Sequence, residues 1–228
     1  MSKTIAIVGF GPGTSTAVAN KFGAEGFSVA LIGQNEERLA AGVSALKARG
    51  ITAAAFLGNA SEPTSIRSAI RNARSQLGPI TVMQWSAYGG MDVGDLLSAD
   101  SDALHGVFDV AVFGLLAATS EVLSDLKSNN GAILIANGAF GEVSPETDEY
   151  VTNIHLMGLA LGSAAKNKLV GLLAQRLKGD GIYVGQVMVY GTIKGTASTN
   201  DSSIDPTVIA EKYWEIYQSR NETRATVK

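Results

Sequence analysis

The stretch TIAIVGFGPGTSTAVANKF, Thr4 to Phe22, decides the fold. A short run rich in β-branched residues passes into glycines at 9, 11 and 13, and these pass into a segment with helical spacing. Glycine at a strand-to-helix turn lets the backbone bend tightly and approach a pyrophosphate, which then rests on the amides and positive dipole of the helix N-terminus. The hydroxyls of Thr14, Ser15 and Thr16 are placed to bond a phosphate or to cap the helix. Gly9, Gly11, Gly13, Thr14 and Ser15 are therefore candidate cofactor-binding residues, with a plain turn as the other use of the same glycines.

Working outward, further apolar runs at 27–33, 51–57, 80–86, 131–137 and 182–190 alternate with segments of helical spacing near 36–49, 63–77, 101–127, 152–178 and 206–220. The alternation predicts right-handed βαβ units. The fold class is then α/β: a Rossmann-like, doubly wound parallel sheet of six to seven strands with helices on both faces. The runs are apolar almost throughout, as strands covered on both faces must be. No Pro- or Ser-rich linker divides the chain, so residues 1–228 are expected to form one domain. Loops after 57, 86, 137 and 190 would open at the carboxyl ends of strands, where such sheets bind ligands.

Composition narrows the chemistry. The chain has no cysteine and only two histidines, His105 and His155. That removes disulfides, thiol catalysis and cysteine-ligated metals, and no metal site is expected. A formal charge of −3 with scattered basic residues argues against nucleic acid as a partner. The N-terminal MSKTIAIVGF lacks the pattern of a signal peptide, and no apolar run is read as reaching the roughly 18–20 residues of a membrane span. A cytoplasmic protein is expected.

The end of the second run, LIGQNEERL, bears on the cofactor. NAD binders place a carboxylate there for the ribose 2′-hydroxyl, whereas NADP binders omit it and add a cation. Here stand Gly33, Gln34 and Asn35, with Arg38 one turn on, so NADP is admissible and NAD remains open. A solvated helix residue is the other reading of Arg38.

With ALIGQNEERLAAGVSAL, ASEPTSIRSAI, LGPITVMQ, FDVAVFGLL, GAILIANGAFG and GDGIYVGQVMVYGTIKGT in the family's order, the chain resembles a short-chain dehydrogenase/reductase over about residues 4–220. The resemblance implies an NAD(P)-binding oxidoreductase that acts as a homodimer or homotetramer. It also implies cofactor contacts at Gln34, at Asn59 (where the family offers an Asp to the adenine) and at Thr192 in YGTI. The family's glycine motif matches at Gly9 and Gly13, with Ser15 in place of the third glycine. By the same correspondence its catalytic asparagine falls on Ala111, its serine on Gly138, and its Tyr-x-x-x-Lys pair on Leu159 and Ser163. Its Asn-Asn-Ala-Gly segment becomes Trp85, Ser86, Ala87 and Tyr88. None of these side chains does the family's work: leucine has no proton to give.

Substitutes are sought nearby. His155, Leu159 and Ser163 are spaced by four and are expected on one helix face, which makes His155 a candidate acid. Tyr150, Tyr88 and Tyr190 lie in or beside strand-end loops, and Asn137 is a candidate donor to a substrate oxygen. The catalytic candidates are thus His155, Tyr150 and Asn137, each with packing, turn formation or solvent exposure as its alternative role. Lys166 and Lys168 read as surface charges, and Trp85 as pocket wall or core. The segments 103–123 and 157–177 are apolar on more than one face, which predicts pairing with a second copy. Three functions stay open: an oxidoreductase with a non-standard proton donor acting on an unidentified small-molecule carbonyl or alcohol, a nucleotide-binding sensor or partner subunit without turnover, and a lyase or isomerase.

Overall fold

A computed structural model describes residues 3–228. Seven strands, β1 (Lys3–Val8), β2 (Phe27–Gly33), β3 (Ala53–Leu57), β4 (Ile80–Trp85), β5 (Ala132–Gly138), β6 (Tyr183–Val189) and β7 (Arg224–Val227), form one sheet in the order β3-β2-β1-β4-β5-β6-β7. Every neighbouring pair is parallel. The order reverses at β1, so the crevice between the carboxyl ends of β1 and β4 is the switch point where doubly wound sheets bind ligands.

The helices are α1 (Thr14–Ala24), α2 (Glu36–Ala48), α3 (Pro63–Leu77), α4 (Ser101–Phe108), α5 (Leu115–Ser128), α6 (Pro145–Asn153), α7 (Met157–Leu177) and α8 (Pro206–Ser219). Their starts follow local chemistry. Asn35, Asp100, Ser144 and Asp205 accept a bond from the first-turn amides of α2, α4, α6 and α8, and α3, α6 and α8 carry proline in the first turn.

Alternate residues of each strand feed opposite layers. Ile5, Ile7, Val29 and Leu31 pack with Phe22, Tyr213 and Ile216, whereas Ala6, Val8, Ile32, Met83 and Trp85 pack with Ile66, Ile70, Leu115, Val122 and Val170. Trp85 is thus core. On the first layer the rings of Phe22, Phe27, Trp214 and Tyr217 meet, which seats α8 against α1 and the sheet.

Three expectations change. The segment 152–178 is not one helix. Its start belongs to α6, which ends when Ile154 N–H bonds Tyr150 O, His155 N–H bonds Thr152 O and Leu156 N–H bonds Val151 O. His155 then takes a left-handed φ of 54°, in a turn ahead of α7. It therefore shares no helix face with Leu159 and Ser163. Second, Lys166 is 4% exposed and lies in the interior, while Lys168 is at the surface as expected. Third, Ser101–Ser128 runs as one rod of α4, a π-helical turn at Asp109–Gly114 and α5, and an 18-residue window of it with mean hydropathy 1.7 makes it long and apolar enough to cross a membrane. Here it covers the sheet. Glu121 and Asp125 on it bind Arg74 of α3 at 3.1 and 2.7 Å.

Candidate cofactor cleft and reacting centre

The glycine loop joins β1 to α1 at the switch point. Gly9 has φ 83°, and a Cβ there would lie 2.5 Å from the Ala87 amide nitrogen, so the ends of β1 and β4 touch through bare backbone. Gly13, φ 82°, stands at the N-cap of α1 and supplies no side-chain cap. The first amides of α1 are thereby left for another acceptor. Ser15 turns inward: its hydroxyl accepts from Gly11 N–H and donates to Gly11 O, both at 2.8 Å, while Thr16 donates to the same carbonyl at 2.7 Å. These bonds fix the loop. Thr14 is nearly buried as the first helical residue.

At the ends of β2 and β3, Gln34 Nε2 donates to Asn59 Oδ1 at 2.6 Å, and Asn59 Nδ2 donates to Glu62 at 2.7 Å. Two expected contacts thus meet on one edge of the crevice. Arg38 is exposed, but its Nη1 would lie 3.9 Å from a Cβ on Gly11, so the guanidinium stands beside the glycine loop. After β6 the segment 192–204 folds back over the same loop. Ile193 and Ile204 form an isolated parallel bridge, Thr192 Oγ1 lies 2.7 Å from Ser203 Oγ, and Thr196 Cγ2 would be 2.9 Å from a Cβ on Gly13. Thr192 therefore braces this flap and Thr196 touches the loop.

The positions that correspond to the family's catalytic residues lie where β5, the π-helical turn and α7 converge. Asn137 is 6% exposed; its Nδ2 donates to Ser163 O at 3.0 Å and to Gln186 Oε1 at 3.4 Å, and its Oδ1 accepts from Gly138 N–H. It fastens α7 to the sheet. Gly138 opens onto space, since a Cβ there meets nothing within 4 Å. Ala111 is buried in the π-helical turn, a departure from α geometry that recurs at functional sites. A Cβ on Gly162 would lie 3.1 Å from Val107 and 3.5 Å from Ala111, so α7 crosses α4 and the π-helical turn at close range.

The expected proton donors are not gathered at this point. His155 is exposed, with its Cβ against Gly94. Tyr150 lies on α6, 55% exposed and tilted against Phe140 with ring centroids 6.1 Å apart. Tyr88 is 64% exposed. Tyr190 at the end of β6 donates its phenol proton to Glu142, and Lys228 lies 4.9 Å over its ring. Burial first, then the Glu142 carboxylate, pushes the Tyr190 pKa up to about 12, so it holds its proton. Glu142 was not anticipated from sequence. Nor was buried Lys166, although the spacing Gly158, Gly162, Lys166, Val170, Leu173, Leu177 marks one stripe of α7, and every member is buried.

The sequence profile described as short chain dehydrogenase matches residues 3–204. A short-chain dehydrogenase from Burkholderia cenocepacia J2315, solved with NADP, superposes with a TM-score of 0.85 at 20% identity, over 99% of this chain and 96% of that one. L-Sorbose reductase from Gluconobacter frateurii, solved with NADPH and L-sorbose, gives 0.85 at 14% identity over 100% and 96%. A blue fluorescent protein from a metagenomic library, solved with NADPH, gives 0.81 at 22% identity over 99% and 96%. No curated protein gives a significant sequence match. At these identities the structural likeness is one of fold.

Proposed function

Because the chain belongs to the short-chain dehydrogenase family, we propose that it is a divergent oxidoreductase that binds NADPH and exchanges a hydride with an uncharged carbonyl or alcohol. The observation that carries this reading is Arg38 beside Gly11, with Gln34 rather than a carboxylate at the end of β2. A guanidinium there answers a 2′-phosphate, and no carboxylate at that strand end opposes it. Gly9, Gly11 and Gly13 let the backbone approach the pyrophosphate, the uncapped amides of Thr14 and Ser15 receive its charge, Gln34 and Asn59 flank the adenosine, and Thr192 holds the flap over the nicotinamide end. When bound, the nicotinamide supplies or takes the hydride.

The substrate side argues against an anionic molecule. No Lys or Arg stands between Arg74 and Lys127, nor between Lys127 and Lys166, which are the stretches carrying the loops after β4 and β5. Those loops, with Tyr150 of α6, present Tyr88, Met91, Leu97 and Val143 to solvent. An anionic substrate would find no cation on them. Exposed Phe113 and Leu172, on the two long helices, support self-association through those helices, in a cytoplasmic protein.

A second reading, a nucleotide-binding protein without turnover, draws on Leu159, Ala111 and Gly138 at the reacting end. Calorimetric titration with NADPH, NADH and their oxidised forms, followed by NADPH oxidation over a broad carbonyl panel, separates the two. Saturable NADPH binding with turnover supports the oxidoreductase. Binding with no turnover on any carbonyl leaves the sensor or partner subunit, and binding of none of the four refutes the cleft itself.

A further inference from the structure

We propose that Lys166 is the proton donor of this site, its ammonium reaching from the buried face of α7 to the oxygen that hydride transfer makes basic. The proposal rests on the NADPH-dependent reading above. Three observations carry it. Lys166 is 4% exposed in the middle of the stripe that α7 turns inward, between Gly162 and Val170. On the C-terminal side of that stripe lie Val170, Leu173 and Leu177, all in the apolar core, where an ammonium finds no acceptor. On the N-terminal side lie Gly162, Ser163 and Ala111, with Asn137 and open Gly138 beyond. Helical side chains lean toward the N-terminus and cover the preceding turn, so both sterics and polarity send the lysine that way.

The reach is sufficient. Ser163 stands three residues before Lys166, about 4.5 Å along the axis, and a four-carbon stem spans that rise. Of the positions around it, Gly138 is the open one, and the space above it is what the ammonium head would enter. Burial alone lowers the Lys166 pKa to about 8, and no carboxylate contributes among the described residues. An ammonium so tuned stays protonated near neutrality and yields its proton readily to an alkoxide. In the balanced step the carbonyl carbon accepts the hydride of the reduced nicotinamide, the C=O π pair moves to oxygen, and the oxygen takes a proton from the Lys166 Nζ. The neutral amine left behind is reprotonated from solvent.

The location is tested by reductive methylation with formaldehyde and a borane, followed by peptide mass spectrometry, on protein whose NADPH binding has been established by calorimetry. Exposed Lys168 is the internal control. Lys166 should be methylated in the free protein and slowed about tenfold at ten times the NADPH Kd, where about one site in ten stays open, with Lys168 unchanged. Methylation of Lys166 at the same rate with and without NADPH overturns the proposal, as does a Lys166 that the reagent never reaches. The role is tested by Lys166→Met on the carbonyl panel: a loss of about 100-fold or more in rate, with NADPH affinity retained, supports it. An unchanged rate, or a wild type without turnover on any carbonyl, overturns the donor role. Failure of NADPH to bind at all refutes the cofactor reading itself, and calorimetry reports that separately.

Discussion

Replacing Lys166 by methionine should make the protein more stable at neutral pH, even as it removes activity. The folded-state pKa of about 8 lies below the ordinary lysine value of 10.5, a gap of about 2.5 units, or roughly 3 kcal/mol at 1.36 kcal/mol per unit. The sign follows from proton counting. Between pH 8 and 10.5 the unfolded chain holds a proton at this site that the folded chain has lost, so stability rises with pH across that window. Below pH 8 the whole penalty of burying the charge is present. Integration gives a relief of about 2 kcal/mol between pH 7 and pH 9.5. Lys166→Met has nothing to relieve, and its stem fills nearly the same space. Urea unfolding followed by tryptophan fluorescence, at steps from pH 7 to pH 9.5, measures both proteins. The expected outcome is a Lys166→Met advantage of about 3 kcal/mol at pH 7 that shrinks to about 1 kcal/mol by pH 9.5. The range stops short of the tyrosine window, where Tyr183 and Tyr190 are held protonated up to about 12 and would cost stability as pH rises. Equal stabilities at pH 7, or parallel pH slopes, would show that the ammonium is solvated and that the reasoning about its burial is wrong.

Other substitutions read the cofactor cleft and the reacting end. Arg38→Ala should weaken NADPH binding by about 10- to 100-fold, the worth of charge-assisted hydrogen bonds to a phosphate, and leave NADH unchanged; calorimetry giving equal losses for both would remove Arg38 from the 2′-position. Gly13→Ala combines an unfavourable φ of 82° with a Cβ 2.9 Å from Thr196, so a cost of about 1–3 kcal/mol in stability is expected, together with weaker NADPH binding. Denaturation at wild-type urea would contradict that backbone reading. Gly138→Ser should be silent in stability to within about 0.5 kcal/mol, because its Cβ meets nothing within 4 Å; a large loss would mean that the space above β5 is filled. His155→Ala and Tyr150→Phe should each leave the reduction rate within about threefold, well short of what losing a general acid costs. A drop of about 100-fold in either would move the donor to that residue.

Much of the fold was legible because it is written in periodicities that tertiary structure seldom overrides. Unbroken apolar runs became buried parallel strands, and the glycine cluster between the first run and the first helix became the switch-point loop. What escaped has local causes. The four-residue β7 is too short to show a period, and its place is set by pairing with β6. The expected helix over 152–178 takes in only the last two residues of α6 and runs on through Ile154, His155 and Leu156 because these contain neither glycine nor proline, and the break rests on His155 adopting a conformation that non-glycine residues seldom take.

The candidate site was less legible than the fold because its side chains are defined by what surrounds them. Asn137 reads as a donor in sequence, yet its amide is taken up by Ser163 and Gln186, partners 26 and 49 residues away. Ser15 stands where a phosphate contact was sought and instead closes its own loop on Gly11. Lys166 is the converse case. Its charge suggested surface, while the stripe it belongs to, shared with Gly158, Gly162 and Val170, placed it inside. Residue type and helical phase disagreed, and phase prevailed. Such a conflict costs stability, since an apolar residue of equal length would be the more stable choice at that position. On the donor role proposed above, the return for that cost is the proton that a carbonyl reduction requires, which a lysine at 166 can give and a methionine cannot.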